Sequence, residues 1–359
     1  MRYLFVIQGE GRGHMTQAIT MANILREAGH LVEHVMVGKC SNRELPQFFI
    51  EKIGAEITTF DSPAIDYGRK GKKGNMMRSV LLNAAPSKVV KWMRSISTIS
   101  RTVKRSEADV VINFYDMLLG VSALLGQVRK PIINIAHQYL IHHSDYPLRG
   151  SYRSERATLA MMNRMCSFRS RKILALSLYP LQSCRNERVE VVPPLLRSEI
   201  FSLRPTDEKF ILGYMLNPAY IDDILEWKKS CPETQVHLFW DKKDEPELKE
   251  HCKGLWMHRI NDSLFLDMMS RCSGYITTAG FESVCEAAYL GKPIVMIPSH
   301  IEQQLNAADA AKARVGIESE RFDLERLIEY IPHHDHPNEE FRKWVDSAKE
   351  IYIKILTSI

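Results

Sequence analysis

Short β-branched and apolar runs alternate with longer amphipathic stretches along most of the chain. This alternation is typical of β-α units around parallel sheets. In the first half the pattern predicts strands at 3–8, 32–37, 57–60, 110–114, 132–136, 173–176 and 189–192. Between those strands it predicts helices at 15–28, 44–53, 77–105, 117–127 and 153–170.

The alternation breaks at Val192-Pro193-Pro194, and no clear period follows as far as Pro205. A second set then predicts strands at 210–215, 235–240, 255–259, 274–278 and 294–297, with helices at 219–230, 245–252, 262–271, 282–290 and 301–314. Apolar residues repeat again over 338–355, which predicts a closing helix. We therefore predict an α/β chain with one domain over 1–203, a second over 204–337 and a closing helix within 338–359.

The composition agrees with two globular domains. The chain has 359 residues, more than one core usually organises, and its apolar fraction of 45% and charged fraction of 25% argue against a disordered or fibrous protein. The apolar run at 3–7 is too short for a signal peptide, and seven scattered cysteines without a Cys-x-x-Cys pair fit a reducing compartment, so we expect a cytoplasmic protein. A net charge of +5 is too weak to predict a nucleic-acid partner.

A glycine-rich loop follows the first predicted strand, with the sequence Gly9-Glu10-Gly11-Arg12-Gly13-His14. Its glycines allow the backbone to approach a ligand closely, and the helix start behind them attracts negative charge. The spacing differs from the dinucleotide fingerprint, because Gly13 comes two residues after Gly11 instead of three. His14 stands where a neutral imidazole can accept a proton from a hydroxyl group. A tight turn with an incidental histidine is the alternative interpretation.

A second candidate site lies between Gly280 and Ala307. The stretch 277–293 runs from a strand through small residues into a helix, so that the backbone N–H groups of 280–283 make an anion site for a diphosphate. At the next helix start, Glu302 and Gln303 are suited to hydrogen bonding of sugar hydroxyls. A helix cap explains Glu302 taken alone, but hardly the whole pattern.

The second site carries a resemblance to known enzymes. The spacing Gly280…Ser283…Glu286…Gly291-Lys292-Pro293…Pro298…Glu302-Gln303…Asn306-Ala307 resembles the donor signature of plant and animal UDP-glycosyltransferases. The chain also resembles the peptidoglycan lipid-intermediate N-acetylglucosaminyltransferase, whose amino-terminal glycine loop likewise ends in Gly-His. The resemblance implies the GT-B fold, in which two Rossmann-like domains face a cleft and the C-terminal helix packs back on the N-terminal domain.

We expect ten positions to bind the donor: Gly13, Ile260, Thr278, Gly280, Phe281, Glu282, Ser283, Glu286, Glu302 and Gln303. The resemblance implies that Glu286 holds the ribose, that 280–283 surround the diphosphate and that the backbone of Ile260 meets the uracil. It also implies that Glu302 and Gln303 hold the donor sugar. Thr278 stands where the plant and animal enzymes have a phosphate-contacting histidine, and Glu302 replaces their usual aspartate, so the identity of the sugar stays open.

The hypothesis for the reaction is an inverting, metal-independent transfer from a UDP-sugar to an acceptor hydroxyl. His14 acts as the base, and Asp116 orients the imidazole as a similarly placed aspartate does in the plant relatives. A helix cap before Met117 explains Asp116 nearly as well. Charge on the leaving diphosphate is met by the helix start at 280–283, so no metal and no cofactor is expected.

The acceptor is not identified by the sequence. The basic stretch 69–105 is suited to contact with anionic lipid headgroups, which makes a lipid-linked acceptor and a peripheral membrane location one hypothesis. A solvated loop followed by a charged helix face explains this stretch equally well. His137, His142 and His143 follow a strand end and are candidates to line the acceptor site, although core or surface histidines explain them as well. The cluster at 333–336 is interpreted as a loop, not as a metal site.

Two other functions share these features. A sugar-nucleotide epimerase on the same fold requires further acid and base carboxylates around the sugar, and the sequence identifies none. A non-catalytic protein that binds nucleotide sugars requires only the donor half of the site. Neither alternative accounts for the Gly-His loop as directly as a glycosyltransferase does.

Overall fold

The computed structural model consists of two compact units, each built on a seven-stranded sheet. The residues described are 1–39, 44–63, 86–144, 146, 153–182, 188–215, 220–240, 242, 245–334 and 338–358. Among them, the first unit holds the residues up to Arg197 together with those from Trp344 onward, and the second unit holds Ser198–Lys343. The chain therefore returns to the first unit at its end.

The sheet of the first unit is parallel throughout, with the strand order β3-β2-β1-β4-β5-β6-β7. Its strands are β1 Arg2–Gln8, β2 Leu31–Lys39, β3 Glu56–Asp61, β4 Val110–Phe114, β5 Ile132–Ala136, β6 Lys172–Leu176 and β7 Val189–Val192. Every residue of the central strands β4 and β5 is buried, as expected for a sheet with helices on both faces. All seven strands predicted in the first half are confirmed.

Helices flank this sheet and close its core. They are α1 Arg12–Glu27, α2 Gln47–Ile53, α3 Pro86–Arg105, α4 Met117–Leu124 and α5 Arg153–Cys166. On one face, Ile96 and Ile99 of α3 and Leu119 of α4 belong to one buried cluster with Leu4 of β1. The amino-terminal part of the predicted helix 77–105, residues 77–85, lies outside the described residues.

The second sheet has the order β10-β11-β9-β8-β12-β13-β14. Its strands are β8 Phe210–Met215, β9 Gln235–Trp240, β10 Leu248–Cys252, β11 Leu255–Arg259, β12 Gly274–Thr277, β13 Ile294–Met296 and β14 Ile317–Glu318. The helices between them are α6 Ile221–Ser230, α7 Asp262–Arg271, α8 Phe281–Tyr289, α9 Ile301–Lys312 and α10 Leu324–Tyr330. All neighbours run parallel except β10 and β11. The α/β class and the two-sheet architecture predicted from the sequence are thus confirmed.

The helix predicted at 245–252 is wrong, because Leu248–Cys252 is an edge strand that pairs antiparallel with β11. The segment is charged and exposed, which is common for edge strands because charges oppose pairing with other chains. Its local sequence carries no helical apolar face, and the pairing with β11 decided the conformation. The sequence pattern also missed β14 and α10.

The end of the chain forms two helices instead of the single closing helix that was predicted. They are α11 Glu339–Asp346 and α12 Ala348–Thr357, separated by Ser347. In the first unit, the Tyr352 hydroxyl donates to the Pro193 carbonyl at 2.8 Å, and Tyr3 donates to the Leu356 carbonyl at 3.2 Å. The predicted packing of the C-terminal helix on the N-terminal domain is therefore confirmed. Among the residues described, every helix is too short or too polar to traverse a bilayer.

Close packing of α4 on α5 depends on a glycine. A Cβ atom on Gly120 would clash with the carbonyl oxygen of Met165 and would lie 2.8 Å from that of Cys166. Both obstacles are backbone atoms, so a side chain at this position separates the two helices. By contrast, a Cβ atom on Gly280 would meet only the Ser283 hydroxyl, at 3.5 Å.

We predict that Gly120→Ala destabilises the first unit by about 1–3 kcal/mol, because the added methyl group forces two helices apart. For a unit of this size, the change corresponds to a lowering of the melting temperature of about 2–4 °C per kcal/mol, measured by calorimetry. Gly280→Ala is the matched control and should cost less than about 1 kcal/mol. An unchanged melting temperature for Gly120→Ala would contradict the packing described.

Candidate active site

Two glycines, Gly9 and Gly38, allow the strand ends at the carboxyl edge of the first sheet to approach each other closely. The Gly9 amide donates to the Gly38 carbonyl at 2.7 Å, and a Cβ atom on Gly9 would lie 2.9 Å from Cγ1 of Val37 and would clash with the Gly38 oxygen. A Cβ atom on Gly38 would lie 2.8 Å from the Asp116 carboxylate and from Cβ of Ser62. Only glycines therefore allow the ends of β1, β2, β3 and β4 to converge.

His14 lies in the first turn of α1, which begins at Arg12 and not near Met15 as predicted. Its Nδ1 atom is 3.3 Å from Oε1 of Gln17, and its ring stacks on Tyr115 with centroids 5.7 Å apart. Burial lowers the pKa of His14 to about 4, a change that the Gln17 contact only partly opposes. The imidazole is therefore neutral at pH 7, the state that a base requires.

Asp116 is fully buried and caps α4. Its Oδ1 atom accepts a hydrogen bond from the Leu119 amide at 3.0 Å, and its Oδ2 atom accepts one from the Ser62 hydroxyl at 3.2 Å. Burial raises the pKa of Asp116 to about 6, although the hydrogen bonds from Leu119, Ser62 and Leu118 oppose the change. The carboxylate is thus held by a helix start and a hydroxyl. Its predicted role in orienting His14 stays a prediction.

Tyr115, which stacks on His14 and directly precedes Asp116 in the chain, was not expected from the sequence. Its backbone is left-handed, with φ at 63°, an arrangement that costs energy in a residue with a side chain. The Tyr115 hydroxyl donates to Oδ1 of Asn163 at 2.5 Å, and the amide of Asn163 donates to the Gln138 carbonyl at 2.6 Å. A positive φ outside glycine leaves no mark in a single sequence, so no signal was available to find it.

The three histidines proposed to line the acceptor site have different environments. Nδ1 of His137 lies 2.8 Å from the Leu176 carbonyl, and burial lowers its pKa to about 4. Nε2 of His143 lies 2.7 Å from the Gln182 carbonyl, and His142 is partly exposed. His137 and His143 therefore join neighbouring segments of the first unit, which is a structural role.

In the second unit, the candidate donor site lies where β12 turns into α8. Ala279 has a left-handed backbone with φ at 61°, and Gly280 is the N-cap of α8. Gly280 has no side chain to cap the helix, so the first-turn N–H groups of 281–283 are not covered by an N-cap oxygen. This is the arrangement expected of an anion site. The Ser283 hydroxyl is directed back to the Gly280 carbonyl at 3.2 Å.

The turn is anchored by a residue that was noted in the motif but given no role. The Asn306 side chain donates to the Ala279 carbonyl at 2.9 Å, which ties the start of α8 to α9. Asn306 and Thr278 are each 2% exposed. The Oδ1 atom of Asn306 and the hydroxyl of Thr278 have no hydrogen-bond partner among the described residues. Two buried polar atoms next to the turn thus lack a partner within this part of the chain, which is uncommon in a folded protein.

The acidic positions of the donor motif differ in exposure. Glu286 is 1% exposed, whereas Glu282 and Glu302 are half-buried. A ribose therefore reaches the Glu286 carboxylate only if neighbouring side chains make room, while Glu282 and Glu302 are accessible as they stand. The predicted ribose contact stays a prediction.

Gln303 has a capping role at the start of α9. Its Oε1 atom accepts from the Ser299 amide at 2.9 Å and from the Ser299 hydroxyl at 2.7 Å. The side-chain oxygen is therefore occupied, and the NH₂ group is what remains to bind a sugar hydroxyl. Gln303 consequently offers hydrogen-bond donors, although the sequence predicted an acceptor-rich pair at 302 and 303.

The remaining predicted positions lie at the same edges of the two sheets. Ile260 follows β11 directly and is half-buried, and Asn261 after it caps α7 by accepting from the Leu264 amide at 3.0 Å. Gly13 is in the first turn of α1, one residue before His14. Two residues of the cluster 333–336, at 335 and 336, lie outside the described residues, and no group of three potential metal ligands occurs within the part that is described.

A comparison with protein families identifies the chain. The model of the family described as "Glycosyl transferase family 1" matches residues 1–333, which include both candidate sites. The chain belongs to this family. A curated relative is the putative UDP-glucuronosyltransferase ugt-47 of Caenorhabditis briggsae, 31% identical over 123 residues, which are 32% of this chain and 23% of that protein. The chain spans less than a quarter of the length of the curated relatives it matches.

Solved structures of glycosyltransferases share the fold of this chain. The glycotransferase of kitacinnamycin has a TM-score of 0.68 at 13% identity, with 99% of this chain and 98% of that chain covered. UGT2 of Phytolacca americana, solved with UDP-2-fluoro-glucose and pterostilbene, has a TM-score of 0.63 at 14% identity, with coverage of 97% and 95%. At these identities the likeness establishes the fold alone, which is the GT-B fold of glycosyltransferases.

We predict that the unfolding free energy of Asp116→Asn, taken relative to that of the wild type, increases as the pH rises from about 4 to about 6. The raised pKa of Asp116 contributes stability at low pH that is lost through this range, and the variant no longer titrates there. The lowered pKa of His14 has the opposite effect and remains in the variant. The difference in unfolding free energy between the variant and the wild type should grow by at most about 3 kcal/mol. Urea unfolding of both proteins at a series of pH values would measure it, and a pH-independent difference would contradict the shifted pKa.

Proposed function

We propose that this member of glycosyl transferase family 1 transfers a sugar, with inversion, from a UDP-sugar to an acceptor hydroxyl without a metal ion. The observation that carries the proposal is the start of α8 at the carboxyl end of β12, where the N-cap residue Gly280 has no side chain, in a chain of this family. A helix terminus of this kind attracts a diphosphate through its N–H groups and its dipole.

The choice of donor has support from the motif and from one related structure. The spacing of Gly280, Glu286 and Gln303 resembles that of the UDP-glycosyltransferases, and the Phytolacca enzyme of the same fold was solved with UDP-2-fluoro-glucose. In the proposed complex, the N–H groups of 281–283 bind the diphosphate. Glu302 and the NH₂ group of Gln303 bind sugar hydroxyls, because one supplies acceptors and the other donors.

The proposed reaction is a single displacement at the anomeric carbon. The acceptor oxygen bonds to that carbon while its proton passes to Nε2 of His14, and the bond from the carbon to the diphosphate breaks. UDP leaves with both electrons of that bond, and the positive end of α8 stabilises its charge. Neither a metal ion nor an organic cofactor is required for this step, and added chelator is expected to leave the rate unchanged.

We predict that His14→Ala lowers the rate of UDP release by about 10²–10⁴-fold, the usual contribution of a general base. Donor affinity, measured by calorimetry with UDP and a panel of UDP-sugars, should stay within about twofold, because the donor motif lies in the second unit. Wild-type turnover by the variant would overturn the assignment of the base. Proton NMR of the product at the anomeric position tests inversion, and retention would overturn the single displacement.

We further propose that the first unit contacts anionic membranes and takes a lipid-linked acceptor. Of the stretch 69–105, residues 69–85 lie outside the described residues. The start of α3 has three exposed apolar side chains, Val89, Val90 and Met93, interspersed with exposed Lys88, Lys91 and Arg94. Further along, Ile96 and Ile99 are buried in the core, so the apolar residues at the helix start lie outside the packed face. Apolar and basic groups together suit the headgroup region of an anionic bilayer.

We predict that replacing Lys88, Lys91 and Arg94 together by Gln weakens partitioning onto phosphatidylglycerol vesicles by about 100-fold at low salt. Each basic residue near such a surface contributes about 1 kcal/mol. Val90→Ser with Met93→Ser should weaken partitioning as well. The control pair, Leu264→Ser with Ile328→Ser, removes exposed apolar side chains from acidic helices and should have no effect. A wild-type protein that does not sediment with these vesicles would remove the support for a lipid-linked acceptor.

A further inference from the structure

We propose that Gln17 and Tyr115 hold the imidazole of His14 in its active tautomer and orientation, in place of the buried carboxylate of Asp116. The inference rests on the proposed role of His14 as the base. Gln17 and Tyr115 are positioning residues in this scheme, since they act on the substrate only through His14.

Gln17 determines which ring nitrogen of His14 has the proton. It lies one turn after His14 on the same helix, is 2% exposed, and its Oε1 atom is 3.3 Å from Nδ1. A carbonyl oxygen can only accept a hydrogen bond, so Nδ1 must be protonated when the two atoms interact. The lone pair is then on Nε2, which makes this nitrogen the one that receives a proton from a hydroxyl.

Tyr115 determines the plane of the ring. The two rings are stacked with an interplanar angle of 26°, and Tyr139 packs edge-on against Tyr115 with centroids 5.5 Å apart. The hydroxyl of Tyr115 is fixed by the fully buried Asn163, whose own amide is bonded to a backbone carbonyl. The Tyr115 ring therefore cannot reorient without breaking its hydrogen bond to Asn163.

Asp116 has other partners. Its two carboxylate oxygens accept from the Leu119 amide and from the Ser62 hydroxyl, and its backbone N–H donates to Oδ1 of Asn113 at 2.9 Å. Both oxygens are thus used in capping α4 and in joining β3 to β4. The His14 side chain contacts Gln17, which offers a neutral amide instead of a carboxylate.

The tautomer of His14 in the free protein tests this inference without any substrate. In ¹⁵N-histidine-labelled protein at pH 7.5, the cross-peaks of His14 are assigned among 13 histidines by their loss in His14→Gln. We expect the wild type to show protonated Nδ1 and a lone pair on Nε2. Gln17→Met should shift the population towards protonated Nε2, and Gln17→Glu, which retains an acceptor, should restore the wild-type pattern.

Two controls separate this role from a general disturbance of the helix. Thr16→Val removes a neighbouring polar group, whose hydroxyl donates to the Arg12 carbonyl, and should leave the tautomer unchanged. Asp116→Asn should also leave it unchanged. If Asp116→Asn shifts the tautomer and Gln17→Met does not, the inference is overturned.

Kinetics complete the test. Gln17→Met and Tyr115→Leu should each lower kcat for UDP release at least tenfold while KM for the donor stays within about twofold, and Gln17→Glu should recover part of the loss. The expected tautomer shift together with full activity of His14→Ala would mean that the positioning is correct but the proposed function is not. An unchanged kcat in Gln17→Met, with His14→Ala inactive, would overturn the positioning role itself.

Discussion

The hydrogen bond from the Gly9 amide to the Gly38 carbonyl is the constraint on which the candidate base depends. It fixes the end of β1 against the end of β2 at a separation that excludes a side chain on Gly9, while Ser62 and Asp116 exclude one on Gly38. Because α1 starts only three residues after Gly9, this backbone contact also fixes the first turn of α1 and therefore His14. Because Gly38 has no side chain, the Asp116 carboxylate fits against it. The same pair of glycines therefore determines the positions of both His14 and Asp116.

Burial shifts the pKa values of His14 and Asp116 in opposite directions. The imidazole of His14 is kept neutral, because burial penalises its charged form and its main polar contact is an amide. Asp116 is held by donors at both oxygens, yet burial still raises its pKa to about 6. This arrangement, a neutral imidazole together with a carboxylate occupied by structural hydrogen bonds, is compatible with proton abstraction by His14. It places the orienting role on groups other than the carboxylate.

In the second unit, α8 also starts at a glycine that follows a strand, but the groups around this helix start are different. The turn before α8 ends in an N-cap without a side chain, and Asn306 fixes its strained Ala279. The dipole of α8 supplies positive potential without a metal ion, while the capping contact of Gln303 with Ser299 leaves only its NH₂ group for a sugar. Each unit thus has a helix that starts at a glycine N-cap without a side chain, α1 with His14 in its first turn and α8 with the candidate diphosphate site.

The sequence by itself determined the α/β class, the alternation of strands and helices, and the two motifs that carry the chemistry. These features are local: buried strands have continuous apolar runs, and helix starts after glycine turns have a recognisable spacing. It failed at Leu248–Cys252, because an edge strand with charged side chains has no apolar pattern and is decided by its pairing with β11. It also did not predict the break at Ser347 that divides the closing helix in two.

Only the tertiary structure decided the partners of the site residues. The sequence placed Asp116 near His14, but the fold gave its oxygens to Leu119 and Ser62 and put Gln17 and Tyr115 beside the imidazole. In the fold, the side-chain oxygen of Gln303 accepts from Ser299, so only its NH₂ group remains to donate to a sugar. Ser62 and Tyr115 are distant in the chain from Asp116 and His14, respectively, and they meet these residues only after the sheet is assembled. The contacts of Gln17, Leu119 and Ser299 are local, but the choice of partner depends on how each side chain packs. The composition of a motif therefore predicts which groups are present, and packing determines their partners.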